Sequence, residues 1–147
     1  MDLILAPETI PVKSDLFLAG GITNCPDWQS EMIEYLSGTD LTILNPRREF
    51  YSSDTSALEQ IEWEYKALHQ VPIVSFWFPE ETLCPITLFE LGVFSQKKDV
   101  KVLVGTHPNY ARRFDVITQL RLSRPEIYVT DNIVDLTAQV LVAAEIG

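Results

Sequence analysis

VPIVSFWFPEETLCPITLFELGVFSQ, residues Val71 to Gln96, is the most informative stretch of the chain. It opens with a run, Val71 to Phe78, made almost entirely of apolar, β-branched and aromatic side chains. A short run of this kind, bounded by turn residues, predicts a strand buried on both faces. The run ends at Pro79-Glu80-Glu81, and Pro85 then suits the first turn of a helix. A buried strand followed at once by a helix is the repeating unit of α/β proteins.

One carboxylate within that predicted helix is placed unusually. Glu90 has Ile86 and Thr87 one turn before it, and Val93 and Phe94 one turn after it. Helical neighbours lie three and four residues apart, so Glu90 is expected on a mostly apolar face. The position just beyond the carboxyl end of a buried strand is where open α/β sheets bind ligands. A functional carboxylate is therefore one interpretation, and a surface or salt-bridged glutamate is the other.

The rest of the chain repeats this alternation of strand and helix. Strands are predicted at residues 15–19, 41–44, 71–78, 100–104 and 126–129, and helices at 26–36, 56–69, from 85 onward and at 132–145. Residues 116–122 fit either a helix or a strand, and residues 49–54 read as a polar loop. The segment 1–13, with two prolines, reads as a lead-in or an edge element. The pattern predicts one α/β domain over residues 1–147, with a mostly parallel sheet of about five strands and helices on both faces.

Two helices carry apolar residues at helical spacing. These residues are expected to face the core, and they are Trp28, Met32, Tyr35 and Leu36 in the first helix and Leu58, Ile61, Tyr65 and Leu68 in the second.

Composition and charge narrow the class of protein. The 147 residues carry a net charge of −10, which argues against binding to a nucleic-acid polymer. The longest apolar runs are too short to span a bilayer, and the N-terminus lacks the basic start of a signal peptide, so a cytoplasmic location is expected. The only two cysteines, Cys25 and Cys84, have no zinc-site spacing. Neither a metal nor a cofactor is indicated.

Four loops follow the carboxyl ends of predicted strands, at residues 20–28, 45–53, 79–85 and 105–113. In a parallel sheet these loops meet at one edge. The polar side chains they would bring there are Asp27, Asn45, Arg47, Arg48, Glu80, Glu81, Arg112 and Arg113. Four arginines at one edge suit a phosphate or a carboxylate, and scattered surface placement is the alternative. Trp28 and Trp63 are candidates for stacking on a base, with a core position as the alternative.

Several segments together resemble the nucleoside 2-deoxyribosyltransferase-like family. They are LFLAGGITNCPDWQ, ILNPRR, QIEWEYKAL, IVSFWFPEETLCPITLFELGVFS and KVLVG followed by YARRFDV, and they cover roughly residues 15–130. The resemblance implies a flavodoxin-like fold and a catalytic glutamate in a T-x-x-E-L-G helix, which here runs from Thr87 to Gly92. That glutamate is Glu90. The chemistry implied is transfer of a 2-deoxyribosyl group between bases through a covalent glycosyl-enzyme intermediate, by the two-step logic of retaining glycosidases.

The resemblance also implies roles for residues around Glu90. Family members often carry an acidic residue just before the central strand, where this chain has Val71-Pro72. Glu64 and Asp27 are the substitute candidates for the acid that protonates the departing base. The candidate substrate-binding residues, from the resemblance and from the loops and tryptophans above, are Gly20, Gly21, Ile22, Trp28, Asn45, Arg47, Arg48, Trp63, Thr87, Arg112 and Arg113. For Asn45, Arg47 and Arg48, clamping of the loops by salt bridges is an equal alternative.

Three functions are compatible with these residues. The first is a transferase that acts on intact nucleosides, and the second is a hydrolase that cleaves nucleotides and uses arginines to hold a 5′-phosphate. The third is a nucleotide-binding module without catalysis, which the missing acid at Val71-Pro72 favours. In each case the expected ligand is a small nucleoside or nucleotide. The resemblance further implies a homo-oligomer in which a neighbouring subunit completes the site.

Overall fold

A computed structural model describes residues 1–48 and 56–145 of the chain, so the polar loop predicted at residues 49–54 lies outside the described residues. The strands are β1 (Asp2–Leu5), β2 (Leu16–Gly20), β3 (Thr42–Asn45), β4 (Ile73–Phe78), β5 (Lys101–Thr106) and β6 (Val129–Thr130). The helices are α1 (Trp28–Tyr35), α2 (Ala57–Leu68), α3 (Pro85–Phe94), α4 (Arg113–Ser123) and α5 (Ile133–Ala143).

All of these strands pair in parallel, in the order β1-β3-β2-β4-β5-β6. The last five strands of that order reproduce the 2-1-3-4-5 arrangement of flavodoxin-like folds, and β1 adds an edge strand beside β3. The predicted α/β class with a mostly parallel sheet is confirmed. Among the described residues the sheet has six strands instead of about five, because Asp2–Leu5 near the N-terminus pairs along its whole length with β3.

The central strand β4 explains why the two faces of the sheet have separate cores. Every residue of β4 is buried, as the unbroken apolar run predicts. Because side chains alternate along a strand, Val74, Phe76 and Phe78 point to one face. Ile73 and Trp77 point to the other. Helices α2, α3 and α4 cover the first face, and α1 and α5 cover the second.

The predicted core face of α2 is wrong at three of its four positions. Leu58, Ile61 and Tyr65 are 64%, 62% and 64% exposed, and only Leu68 is buried. The helix carries a second stripe, Trp63 with Ala67, and this stripe packs on the sheet. Trp63 lies against Phe17 at 6.5 Å between ring centroids, and its indole nitrogen donates to the Glu8 carbonyl at 2.8 Å.

Smaller differences occur at other elements. Tyr35 in α1 is half-exposed, and its hydroxyl donates to Glu31, so it does not belong to the buried stripe. The segment 116–122, compatible with helix or strand, lies within helix α4. The last strand is confined to Val129–Thr130, because only these residues pair with β5.

Candidate active site

A cavity of about 580 Å³ opens at the carboxyl ends of β2 and β4, between α2 and α3. Its size is in the range of small-molecule sites. The residues that line it are Gly20, Gly21, Ile22, Thr23, Arg47, Gln60, Ile61, Glu64, Thr82, Cys84, Pro85, Ile86, Thr87 and Glu90. The cavity therefore lies at the edge of the sheet where the strand order predicts a ligand site.

Glu90 enters this cavity from α3. The helix begins with Pro85 at its first position, after Cys84 in a left-handed conformation with φ of 53°. Cys84 and Thr87 are buried and line the same cavity as Glu90. Burial, and secondarily the nearby negative charge of Glu64, raises the pKa of Glu90 to about 8. Among residues 1–48 and 56–145, nothing forms a hydrogen bond or an ion pair with this carboxylate.

Glu64 enters the cavity from the facing helix, α2. Gln60, one turn earlier, donates its side-chain amide to Glu64 Oε2 at 3.1 Å. Burial raises the pKa of Glu64, while the hydrogen bond from Gln60 and the charge of Arg48 oppose that rise. The two carboxylates thus have different surroundings, because Glu64 has a donor and a nearby cation and Glu90 has neither among the described residues.

Together Glu64 and Glu90 form a carboxylate pair in one cavity. Like charges in a half-buried site disfavour the doubly ionised state, so such a pair tends to hold one proton between its members. A pair with one ionised and one protonated carboxyl provides a nucleophile or base beside an acid, as retaining glycosidases require. Cys84, the thiol in the cavity, does not compete as a nucleophile, because burial raises its pKa to about 12.

The loop after β2 forms another part of the cavity wall. The Trp28 indole nitrogen donates to the Gly21 carbonyl at 2.9 Å, and the buried Gln29 amide donates to the same oxygen at 3.2 Å. A Cβ on Gly21 would lie 3.0 Å from the sulfur atoms of both Cys25 and Cys84. Glycine is thus needed here for close approach. Trp28 supports the wall from behind and does not line the cavity.

Arg47 is the predicted arginine that reaches the cavity. Its guanidinium donates to Gln29 Oε1 at 3.0 Å and to the Pro26 carbonyl at 3.1 Å, and it lies 3.3 Å from an Asp27 carboxylate oxygen. Its backbone N–H donates to the buried Asn45 side chain at 3.0 Å. Arg47 and Asn45 therefore clamp the loops, as one of the two interpretations of these residues expects. The Arg47 side chain also faces the cavity.

Other predicted site residues lie elsewhere in the fold. Arg48 is buried against Gln60, Arg112 pairs with Asp115 at 2.5 Å, and Arg113 donates to the Thr106 hydroxyl at 2.5 Å. The four arginines therefore do not converge at the cavity. Asp27 caps α1 by accepting from the Ser30 N–H, and the ring of Trp63 packs in the core.

Sequence reasoning missed Gln60, whose amide contacts Glu64. The i, i+4 spacing on a predicted helix was the available signal, because residues at that spacing are neighbours on the helix surface. Thr23, Ile61, Thr82, Cys84, Pro85 and Ile86 also line the cavity without having been predicted there.

Within residues 1–48 and 56–145, no three His, Cys, Asp or Glu side chains group as a metal site requires. In the same part of the chain, no helix has the length and apolar character to cross a membrane.

The fold and the cavity define an α/β protein with paired carboxylates at the ligand edge of a flavodoxin-like sheet. The family model described as nucleoside 2-deoxyribosyltransferase like matches residues 13–110, which is two thirds of the chain. The chain belongs to the nucleoside 2-deoxyribosyltransferase-like family. No curated protein sequence matches it significantly.

Among solved structures, the chain is similar to the TIR domains in an activated Roq1 resistosome that directly recognises the pathogen effector XopQ. The two share 14% sequence identity at a TM-score of 0.48, over 92% of this chain and 86% of that one. A similarity of this strength supports no functional conclusion.

Proposed function

We propose that the chain transfers a 2-deoxyribosyl group by cleaving the N-glycosidic bond of a nucleoside, with Glu90 as nucleophile and Glu64 as its acid–base partner. The observation that carries the proposal is that both carboxylates face one cavity of about 580 Å³. Membership of a nucleoside 2-deoxyribosyltransferase-like family supports a nucleoside as the substrate. Glu90 also stands in the T-x-x-E-L-G segment that carries the implied catalytic glutamate.

The proton inventory of the pair fits the first half-reaction. The pair begins with one proton and one negative charge. As the bond between the anomeric carbon and the base nitrogen breaks, the base receives the pair's proton and a Glu90 oxygen bonds to the anomeric carbon. Glu90 is then a neutral ester and Glu64 is ionised, so the net charge of the pair has not changed. The site never has to hold two negative charges, which burial would penalise.

The second half-reaction returns the proton to the pair. An incoming base loses a proton to Glu64, and its nitrogen attacks the anomeric carbon to release Glu90. Water in place of the base gives hydrolysis by the same steps. A hydrolase specific for 5′-nucleotides is less well supported, because Arg48, Arg112 and Arg113 do not line the cavity.

We further propose that the chain forms a homo-oligomer. Five large side chains, Leu58, Ile61 and Tyr65 of α2 with Ile86 and Phe89 of α3, are 62–70% exposed and form what we call the α2–α3 apolar surface. Its exposed area is on the order of 600 Å², taking roughly 200 Å² for each fully exposed side chain. A patch of about 600 Å² is at the upper end of what monomeric proteins expose, and patches of that size are often functional. Ile61 and Ile86 also line the cavity, so a second copy docked here would border the site.

Intact-protein mass spectrometry tests the reaction. The protein is incubated with 2-deoxynucleosides and, separately, with their 5′-monophosphates, and the released base is measured in parallel. A mass gain of one deoxyribosyl group is expected in the wild type and is expected to be absent from Glu90→Ala. The substrate that produces the gain reports whether the phosphate is needed.

Glu62→Ala is the matched control, because Glu62 is an exposed glutamate of α2 and does not line the cavity. It should form the adduct as the wild type does. An adduct that survives in Glu90→Ala would assign the nucleophile to another residue. Absence of both adduct and released base with every substrate would support the binding-module interpretation instead.

A further inference from the structure

The side chain of Gln60 has only one chemically sensible orientation. Its Oε1 accepts from the Arg48 Nε–H at 2.5 Å, and its Nε2 donates to the Pro46 carbonyl at 3.0 Å. A guanidinium can only donate and a carbonyl can only accept, so each neighbour independently fixes which end of the amide is which. The remaining N–H of the amide points to Glu64 Oε2, at 3.1 Å.

Gln60 is also held in place by more than one element. Pro46 and Arg48 follow β3, and Arg48 in turn lies 3.6 Å from Glu59 of α2. Gln60 and Glu64 are one turn apart on the same helix, so the donor cannot move away from the carboxylate without breaking its contacts with Pro46 and Arg48. The amide is a fixed donor aimed at one member of the carboxylate pair.

We propose that Gln60 is a positioning residue that keeps Glu64 as the ionised member of the pair, so that the single proton resides on Glu90 in the empty site. The inference rests on the proposed use of Glu64 and Glu90 as a catalytic pair. A hydrogen bond donated to a carboxylate favours its ionised form. Glu90 has no such donor among the described residues, so it is the better place for the proton.

The charge of Arg48 acts on Glu64 in the same direction as the hydrogen bond from Gln60. In the described residues, Glu90 and the neutral Cys84 thiol face it from the side of α3, and Arg47 and Arg48 face it from the segment after β3. Arg48 favours an ionised Glu64, whereas Arg47 lines the cavity with both carboxylates. The consequence for the reaction is that Glu90 stays protonated in the empty site. Its proton passes to Glu64 when a nucleoside binds, so that Glu64 can donate it to the departing base while Glu90 is ionised for the attack.

Carboxyl-detected NMR titration of ¹³C-labelled protein, without substrate, tests the assignment. In the wild type Glu64 is expected to ionise at lower pH than Glu90. Gln60→Met keeps the length of the side chain but removes the amide. It should raise the Glu64 midpoint by about one pH unit, the size expected for a hydrogen bond to a charged group. Gln119→Met, at an exposed glutamine of α4, is the matched control and should leave both midpoints unchanged.

The pH dependence of kcat/KM for base release gives a second readout. Glu64 is ionised both in the singly ionised pair and in the doubly ionised pair, and loss of the Gln60 donor destabilises both states. The acidic limb of the pH profile should therefore move to higher pH, and its alkaline limb should move less. A reversed order of the two midpoints in the wild type overturns the proposal, as does an unmoved Glu64 midpoint in a folded Gln60→Met. If Gln60→Met does not fold, the order of the Glu64 and Glu90 midpoints in the wild type tests the proposal by itself. The titration needs no substrate, so it tests which carboxyl holds the proton even if no nucleoside is turned over.

Discussion

The side chain of Glu90 makes the free energy of unfolding depend on pH, because its pKa differs between the folded and the unfolded chain. Its pKa is about 8 in the folded protein and near 4.5 when the chain is unfolded. Between these values the folded state keeps the proton and the unfolded state releases it. Stability must therefore decrease as the pH rises from about 5 to about 8. Above that range the folded protein carries the full cost of a half-buried charge.

Replacement of Glu90 by glutamine removes this cost. Glu90→Gln should unfold at higher urea concentration than the wild type at pH 9, and the difference should shrink toward pH 5. A gain of roughly 1–3 kcal/mol is expected at the alkaline end, since one pKa unit corresponds to about 1.4 kcal/mol. Urea unfolding at pH 5, 7 and 9 measures it, with the exposed Glu62→Gln as control. Parallel pH profiles for wild type and Glu90→Gln would contradict the raised pKa.

At the scale of single elements, sequence predicted best where one physical constraint acts alone. The run from Ile73 to Phe78 has apolar side chains on both faces, and only a central strand can bury both, so β4 was predictable. Glu90 was found because its helical neighbours are apolar on both sides. In α2 two apolar stripes compete, and the spacing of Ile61 and Tyr65 does not tell which stripe meets the sheet. The packing of Trp63 on Phe17 decides that question, and it is a tertiary contact.

The arginines show a second limit of sequence. The loops that follow parallel strands do meet at one edge, and Arg47 lies there as predicted. Arg113, however, is the first residue of α4, and its side chain turns back to the end of β5, where it donates to Thr106. Strand order places a backbone segment at an edge, but local hydrogen bonds determine where a long side chain points. Gln60 was missed for a similar reason, because its partners Pro46 and Arg48 are distant in sequence.

The junction between β2 and α1 leaves no room for a side chain at Gly20. A Cβ there would lie 2.4 Å from the Trp28 ring and 2.5 Å from the Trp77 carbonyl oxygen. Gly20→Ala should therefore destabilise the protein by roughly 1–3 kcal/mol, as overpacking of a dense core does. The shift of the urea midpoint is the measurement.

Gly92→Ala is the matched control for this substitution. Gly92 lies inside α3, and a Cβ there would meet nothing within 4 Å. Alanine is the better helix former, so Gly92→Ala should stabilise by about 0.5–1 kcal/mol. Equal effects of the two substitutions would show that the space around Gly20 is not the determining factor.

At the scale of the whole molecule, a net charge of −10 coexists with the α2–α3 apolar surface. Two acidic copies repel each other at long range, so association has to rely on contact between uncharged side chains. The ring of Tyr65 stacks on that of His69 with 4.0 Å between the centroids, and the centroid of His69 lies 5.2 Å from that of Phe94 in α3. These ring contacts link the C-terminal end of α2 to α3.

Sedimentation equilibrium tests whether a second copy occupies that surface. The wild type should approach at least twice the chain mass of 16.7 kDa with increasing concentration. Phe89→Glu places a charge in the surface and should shift the protein toward the monomer by at least tenfold in dissociation constant. Phe114→Glu is the control, since Phe114 is 82% exposed on α4. A wild type that stays monomeric at every concentration, or dissociation caused by Phe114→Glu alone, would contradict the assignment.

The separation of the two cores has a consequence for how this chain tolerates change. Both acidic side chains of the cavity come from helices on one face of the sheet, and α5 on the other face packs through Leu136 and Val140 without reaching them. In a library that contains every single substitution along α5, the variants should differ in the amount of folded protein. The activity per folded molecule should stay unchanged. Substitutions along α2 and α3 should change the abundance of folded protein and the activity per folded molecule independently of each other. Laboratory evolution of a new specificity is therefore best directed to α2 and α3. Stabilising substitutions in α5 can then restore the amount of folded protein.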